Sequence, residues 1–418
     1  MNNNSHEAQD AGGDQAQPRR QLHEFHFEAI RSIVEPIQSI TRNAARQALG
    51  PYDKVLAEIQ EAVRPAALSR ASDFAEPDPK SGDYSGLLKH GVEDYFKGRE
   101  VTIDSIESLN KNIEAFVRKV PDLHLLWRGA RSVTWGAHSS LFRHLMREND
   151  VRPPTEAPQE PQNYPDEDQM VRAEAAVLDL ARKDWRFDGM SALEIFARMQ
   201  HFGGPTRLLD ITLNPYVAAW FAVEENGETE DHDSRLLAFA TEPRRRQDDP
   251  PVPPSQVSLG PFWGGYLPAW HGWHDNATRQ KFDWGTGARR WYWIPPAYQS
   301  RIPVQNAGFL LDGVPITSNK MSSYFKPHTG RETSASTGLY YRRADLLSAS
   351  SIYLKADSPA RKPSPRKSLA PTFAFRIHAS AKEEIRNYLE TRFGFRRSYI
   401  YPDMEGLAQH LRGIKLGD

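Results

Sequence analysis

Seven side chains able to hold a polar ligand crowd into positions 200 to 214: Gln200, His201, Thr206, Arg207, Asp210, Thr212 and Asn214. Gly203, Gly204 and Pro205 lie among them and impose a turn, with glycine available for positive φ or close approach. Buried core gains nothing from such a mixture, because each polar group would need its own partner. Convergence in a cleft gives the mixture a use. His201, beside the glycines, has the chemistry of a general acid or base; the alternative is a helix C-terminal histidine favoured by the macrodipole. Arg207 and Asp210 are three apart and fall on opposite faces of an extended strand, whereas Asp210 and Thr212 share one. Either charge serves equally well in an architectural ion pair. Upstream, Arg128 precedes Gly129 at the end of an apolar run. Its fork of donors suits a pyrophosphate, and the glycine would let the backbone come close; the alternative is a salt-bridged strand end.

The surrounding pattern predicts the elements that position these groups. Ile106, Leu109, Ile113 and Phe116 mark one face of a helix over 105–117, and Leu123 to Trp127 reads as a short strand ending at Arg128. A short helix is expected over 140–147, a Pro-rich acidic loop over 156–168, and a helix through Val171, Ala175 and Leu178. Ser191 with Glu194 forms a capping box for a helix running to His201. Thr206-Arg207 heads a short strand, and Asn214-Pro215 starts another helix. Strands are expected at 236–241, within 302–311 and at 372–377. Ser380 with Glu383 caps a long helix closed near Gly394, and Met404, Leu407, Ala408 and Leu411 mark a last one. Helices and short strands mix without βαβ alternation, which predicts an α+β fold with short, mostly antiparallel strands.

Ahead of this lie a polar tail at 1–23 and a helical amino-terminal segment with a linker at 24–100, the linker being the stretch 67–87 with Pro77 and Pro79. The main domain is expected at 101–412, with a long irregular insert at 248–287 and a basic Pro/Ser linker at 357–369. Loops of the insert's length are often lids or binding loops. Its aromatics Trp263, Tyr266, Trp270, Trp273 and Trp284 are suited to base stacking or to packing. The run Arg244 to Arg246 and the segment 361–367 are basic, and serve either nucleic-acid contact or a solvated surface.

Composition narrows the classes. The chain has 418 residues and a formal net charge of −1, so no global field selects nucleic acid or an anionic membrane. Cysteine is absent, which excludes disulfides, thiolate zinc sites and cysteine nucleophiles. No run of apolar residues is long enough for a membrane span, and residues 1–21 lack the apolar stretch of a signal peptide. A cytoplasmic protein without a membrane partner is the expectation. His271 and His274 have no evident third ligand, so no metal is expected. Neither a phosphate-binding Gly-rich loop nor a nucleophile elbow is present.

The pieces Trp127-Arg128-Gly129, Ser139-Ser140-Leu141-Phe142-Arg143 and Gln200-His201 through Phe221-Ala222 resemble the FRG domain, found mostly in bacterial and phage proteins. Arg301 to Phe309 and Tyr401-Pro402-Asp403-Met404-Glu405-Gly406-Leu407 resemble its later blocks. Trp127 stands in place of the naming Phe, Ala130 where Gln is common, and Ile211 where Trp is common. The order of parts is also similar to the ADP-ribosyltransferase fold. That resemblance implies NAD as substrate, with Arg128 at the end of the first strand. Asp210-Ile211-Thr212 followed by Ala218 to Ala222 would be the middle element, and Gln305 would lie near the third. Taken with the chemistry of the residues themselves, it makes Arg128, His201 and Asp210 the candidate catalytic residues, with His201 on ribose or nicotinamide. Arg128, Gly129, Gln200, Thr206, Arg207, Thr212 and Gln305 would bind the nucleotide. A carboxylate would steady an oxocarbenium-like state. Gln305 is an amide, which leaves Asp210, Glu174 and Glu405 as the candidate acids. Two readings follow: an NAD-consuming transferase or glycohydrolase acting as a toxin or in anti-phage defence, with a protein or nucleic-acid target, or a non-catalytic module that senses a nucleotide or nucleic acid.

Overall fold

Alternating apolar residues make the central strands of a sheet buried on both faces. In Ser234–Ala240, Leu236 and Ala238 face one hydrophobic cluster, whereas Leu237 and Phe239 face another. The computed structural model describes residues 67–412 apart from 158–159, 226, 250, 329–338 and 366–367. The chain divides into two compact units, Met1–Val63 and Arg64–Asp418, and the described residues belong to the second. The tail expected at 1–23 and the helices expected within 24–66 lie outside them.

The strands are β1 (Val101–Ile103), β2 (Leu125–Ala130), β3 (Leu209–Thr212), β4 (Ser234–Ala240), β5 (Gln256–Val257), β6 (Trp291–Trp293), β7 (Ala307–Leu311), β8 (Lys355–Asp357) and β9 (Pro371–Ile377). They form one sheet in the order β1-β9-β4-β2-β3-β7-β6-β5, with β8 also on β9. Pairings within β4–β9, β2–β4, β2–β3, β3–β7 and β6–β7 are antiparallel, whereas β1–β9, β5–β6 and β8–β9 are parallel. The longer helices are α1 (Ile106–Lys119), α2 (Ser140–Glu148), α3 (Glu167–Lys183), α4 (Ala192–His201), α5 (Pro215–Val223), α6 (Arg343–Ala349), α7 (Ala379–Phe393) and α8 (Met404–Arg412). The fold is α+β. No helix among the described residues is long and apolar enough to cross a membrane.

On one face, α1, α5 and α7 bury Phe116, Ala218, Ala222 and Ile385 against Trp127, Leu236 and Phe375. The opposite face packs Leu126, Leu237 and Phe239 on residues that precede β1, including Leu88, Val92, Tyr95 and Phe96. The domain therefore does not begin at 101. Its compact unit begins at Arg64, and the stretch 67–87 is not a linker. Buried Asp73 accepts from Ser368 Oγ at 2.9 Å and pairs with Lys320 Nζ at 2.6 Å, and Pro77 bridges to Ser318. Polar composition and two prolines suggested a tether, but those polar groups find partners far along the chain.

Two further expectations change. No Ser380–Glu383 box starts α7: the helix begins at Ala379, whose N–H is bonded at 2.9 Å by the Asp233 carboxylate just ahead of β4. A carboxylate there complements both the unpaired amide and the helix dipole. The insert at 248–287 is not a lid but a wall of the core. Trp263, Trp270, Trp273 and Trp284 are buried, and Trp273 stacks on Phe282 with ring centroids 4.4 Å apart. Tyr266 alone of that aromatic set is exposed. The 357–369 segment is anchored as well: Lys119 Nζ donates to the carbonyls of Pro359 and Ala360 at 3.1 and 2.7 Å.

Candidate functional site at the gap between β2 and β3

β2 pairs with β4 from Leu125↔Ala240 to Ala130↔Arg235, and β3 pairs with β7 over its full length. Between β2 and β3 the register holds at Trp127↔Thr212 alone. Past that position the central sheet opens, and Arg128 is the first residue beyond it. Arg128 Nη1 donates to the carbonyl oxygen of Asp210 at 2.7 Å and lies 3.7 Å from its Oδ2. The Arg128 side chain is 24% exposed and that of Asp210 59%. The opening thus presents a guanidinium and a carboxylate together. Thr212 shares a strand face with Asp210 but lies where β2 still pairs, and is buried.

The capping box of α4 fixes where that helix starts, and the turn after His201 fixes where it ends. Gly203 has φ 78°, and the Gly204 N–H donates to Met199 O at 2.8 Å. These glycines close the helix, as positive φ at its C-terminal boundary requires. Gln200 then projects toward the gap. Its Nε2 donates to Asp210 Oδ2 at 3.0 Å, and its Oε1 accepts from Thr206 Oγ1 at 2.6 Å. Ser140 Oγ, at the start of α2, donates to the same Oε1 at 3.3 Å and accepts from Thr206 N at 2.9 Å. One turn on, Arg143 donates to His138 O at 2.6 Å. Burial depresses the Arg143 pKa, and the neighbouring charges of Arg128 and Arg147 depress it further, with Asp210 opposing them. Arg143 thus feels the like charge of Arg128 from across the opening, with Asp210 as the opposing carboxylate.

Arg128, Gln200, Thr206 and Asp210 come together; the last three are near neighbours in sequence, whereas Arg128 arrives from β2. Other expected members do not join them. Arg207, expected to bind the nucleotide, is instead sealed inside the protein: its Nε bonds Glu174 at 2.6 Å and its Nη1 bonds Glu167 at 2.7 Å. Trp270 Nε1 and His271 Nε2 contact the same Glu174 at 2.8 and 3.1 Å. Burial works to raise the Glu174 pKa, but Arg207 and His271 together hold it down to about 2. That carboxylate is not available as an acid in the gap. Thr212 Oγ1 donates to Gln305 O at 2.6 Å, and Gln305 Nε2 donates to Ile400 O at 2.8 Å, so both tie elements together. His201 turns to the carboxy-terminal block, with Nε2 3.5 Å from Asp403 Oδ2. Burial and the Arg301 charge lower its pKa, against Asp403 and Glu405. Asp403 also pairs with Arg301 and bonds the Gly406 N–H at 2.8 Å, capping α8.

Gly129 is required for packing rather than for a ligand. A Cβ there would collide with the Ala218 carbonyl oxygen and lie 2.6 Å from Ala222 N, because α5 crosses β2 at this point. Backbone cannot yield as a side chain can. Gly129→Ala is expected to lower stability by about 3 kcal/mol, read by denaturant unfolding. A glycine needed only for ligand approach would leave the unfolding midpoint unchanged and weaken binding alone.

Arg143 and Ser140 carry no individual role in the sequence pattern, although both lie in the Ser139-to-Arg143 block; their position one turn apart at the start of a short helix is the available signal. Glu224 carries none either; it is a buried carboxylate at the end of α5, held by Arg397 Nη1 at 2.7 Å, Tyr401 Oη at 3.1 Å and Arg131 Nη1 at 3.3 Å. Among the described residues, no group of three or more His, Asp or Glu side chains is arranged to hold a metal ion.

Residues 123–231 match the family model of the FRG domain. No curated protein and no solved structure matches the chain.

Proposed function

We propose that this protein binds the pyrophosphate of NAD at the gap between β2 and β3 and breaks the bond between nicotinamide and ribose. The observation that supports the reading is the Arg128 guanidinium set 3.7 Å from the exposed Asp210 carboxylate, at the point where β2 and β3 part. Guanidinium forks bind phosphate oxygens through paired charge-assisted hydrogen bonds. Asp210 is exposed, and Gln200 orients its carboxylate from one side. It would accept a ribose hydroxyl proton in a hydrogen bond and stabilise positive charge developing at the anomeric carbon. The C–N bond breaks, nicotinamide leaves as the neutral base, and the anomeric carbon takes the oxygen or nitrogen of an acceptor, which loses a proton. With water as acceptor the protein is a glycohydrolase; with a macromolecular nucleophile it is an ADP-ribosyltransferase. Consumption of NAD fits a toxin or an anti-phage effector.

A second reading is a binding module that holds a nucleotide without turnover. It is favoured by Gln305, an amide already committed to Ile400 O, and by the engagement of Asp210 with Gln200 at 3.0 Å. Incubation of the purified protein with NAD separates the two. For the enzyme, nicotinamide is released, and Asp210→Asn lowers the rate about 100-fold or more while NAD still raises the melting temperature. A thermal shift with no nicotinamide from the wild type supports the binding module instead. If neither appears, both readings fail.

A further inference from the structure

At the opposite end of β2 from Arg128, the two basic segments of the sequence meet. A cavity of about 700 Å³ opens there, between Leu123-His124 ahead of β2, the residues that follow β4, and Lys362. Arg244 and Arg246 come from the first segment and Lys362 from a segment more than one hundred residues later. Arg244 joins the two, donating to Pro363 O at 3.3 Å and to Asp122 at 2.9 Å.

The charges lining this cavity do not balance. Its two carboxylates are committed: Asp122 to Arg244, and Glu242 to Ser255 Oγ at 2.7 Å and to buried Arg289 at 3.4 Å. The Arg246 and Lys362 side chains are exposed and have no partner among the described residues. An aromatic platform lies beside them. The His124 ring stacks on Tyr292 with centroids 5.0 Å apart and planes inclined by 25°. Tyr292 is buried and donates to Gln256 Oε1 at 3.2 Å, which holds the pair in place. His124 is exposed, and burial lowers its pKa against the opposing charge of Glu242; an aromatic ring of this kind is suited to stacking. Such a volume accommodates a small organic ligand.

We propose that this cavity is a second ligand site, for a nucleoside polyphosphate whose phosphates meet Arg246 and Lys362 and whose base stacks on His124. The site is independent of the β2–β3 gap and stands whether or not that gap is catalytic.

Calorimetric titration of the full chain carrying Arg128→Ala tests it, since that background disables the phosphate contacts of the gap. The probes are ATP, tripolyphosphate and adenosine. ATP is expected to bind with salt-dependent affinity, tripolyphosphate more weakly and adenosine most weakly. Arg246→Ala with Lys362→Ala is expected to weaken ATP at least tenfold. His124→Ala is expected to bring ATP to the affinity of tripolyphosphate and to leave tripolyphosphate unchanged. All three positions are exposed, so the variants should retain the wild-type melting temperature. Undetectable ATP binding, or ATP affinity unaltered by the paired charge removal, overturns the site. Equal affinity for ATP and tripolyphosphate in both the Arg128→Ala parent and its His124→Ala derivative overturns the stacked base.

Discussion

Arg128→Ala is expected to cut nicotinamide release from NAD by about 100-fold or more while leaving the fold intact. The two halves of that expectation have different sources. On the proposed reading Arg128 would hold a phosphate of NAD, and its removal would take away charge-assisted hydrogen bonds that no neighbour replaces in the same geometry. Its structural contribution is small, because the side chain is 24% exposed and 3.7 Å from the Asp210 carboxylate, and partly exposed pairs of this kind stabilise by about 1 kcal/mol or less. Arg128→Lys keeps the charge but not the planar fork, so only part of the rate should return. Measurement of kcat/KM for NAD alongside the denaturant midpoint checks both halves. A midpoint that falls in step with activity would assign Arg128 to holding β3 through the Asp210 carbonyl instead.

The opposite pattern is expected at Arg207. Its side chain is 3% exposed and that of Glu174 1%, and the guanidinium sits beside the rings of Trp270 and Trp284, centroids 5.7 and 5.3 Å away. Trp284 Nε1 completes the network with a bond to Glu167 at 2.9 Å. Arg207→Ala removes the cation that two buried carboxylates share, leaving Glu167 with Arg279 at 3.8 Å and Glu174 with His271 at 3.1 Å, which costs about 3–5 kcal/mol. The pH dependence follows from Glu174, whose pKa is held at about 2 in the folded state, below the ordinary 4.5. A carboxyl group depressed on folding contributes stability above its unfolded pKa and loses it as pH falls toward the folded value. In the variant, burial acts on Glu174 without Arg207 to oppose it, so the folded pKa rises and the acid form is favoured. Wild type and variant should therefore differ most at pH 7 and converge near pH 2. Urea unfolding at both pH values checks this; a difference that is constant with pH would remove Glu174 from the account.

Much of this fold was legible where local rules decide it. The Ser191–Glu194 box, the Asn214–Pro215 start and the closure at Gly394 all stand in the structure. The same rules fail where an acceptor arrives from a distant segment. Asp233 replaces the expected cap of α7, and Asp73 binds a segment that reads as a tether to partners at Lys320 and Ser368. The candidate site divides along the same line. Gln200, Thr206 and Asp210 are close in sequence, and their meeting depends on one helix end and one turn. Arg207, in the same cluster, faces the core because β3 begins two residues later, at Leu209, so extended alternation does not yet govern it. Gly129 carried an ambiguous signal: absence of a side chain serves a ligand or a crossing helix equally, and the crossing of α5 is a tertiary fact. The tryptophans at 263–284 read as either lid or core, and the buried carboxylates of Glu167 and Glu174, which receive two of their indole N–H groups, settle the matter.

The strand order bears on what the FRG-matched segment is by itself. Residues 123–231 contain β2 and β3, joined to each other at a single register position. The strands that zip those two into the sheet, β4 on one side and β7 on the other, begin at Ser234 and Ala307, past the end of the match. An excised segment would carry two ribbons with raw edges and scarcely any ladder between them, a template for aggregation more than a miniature protein. Similarity here marks a signature stitched through a larger body, and the seam between recognised and unrecognised sequence runs through the middle of the sheet.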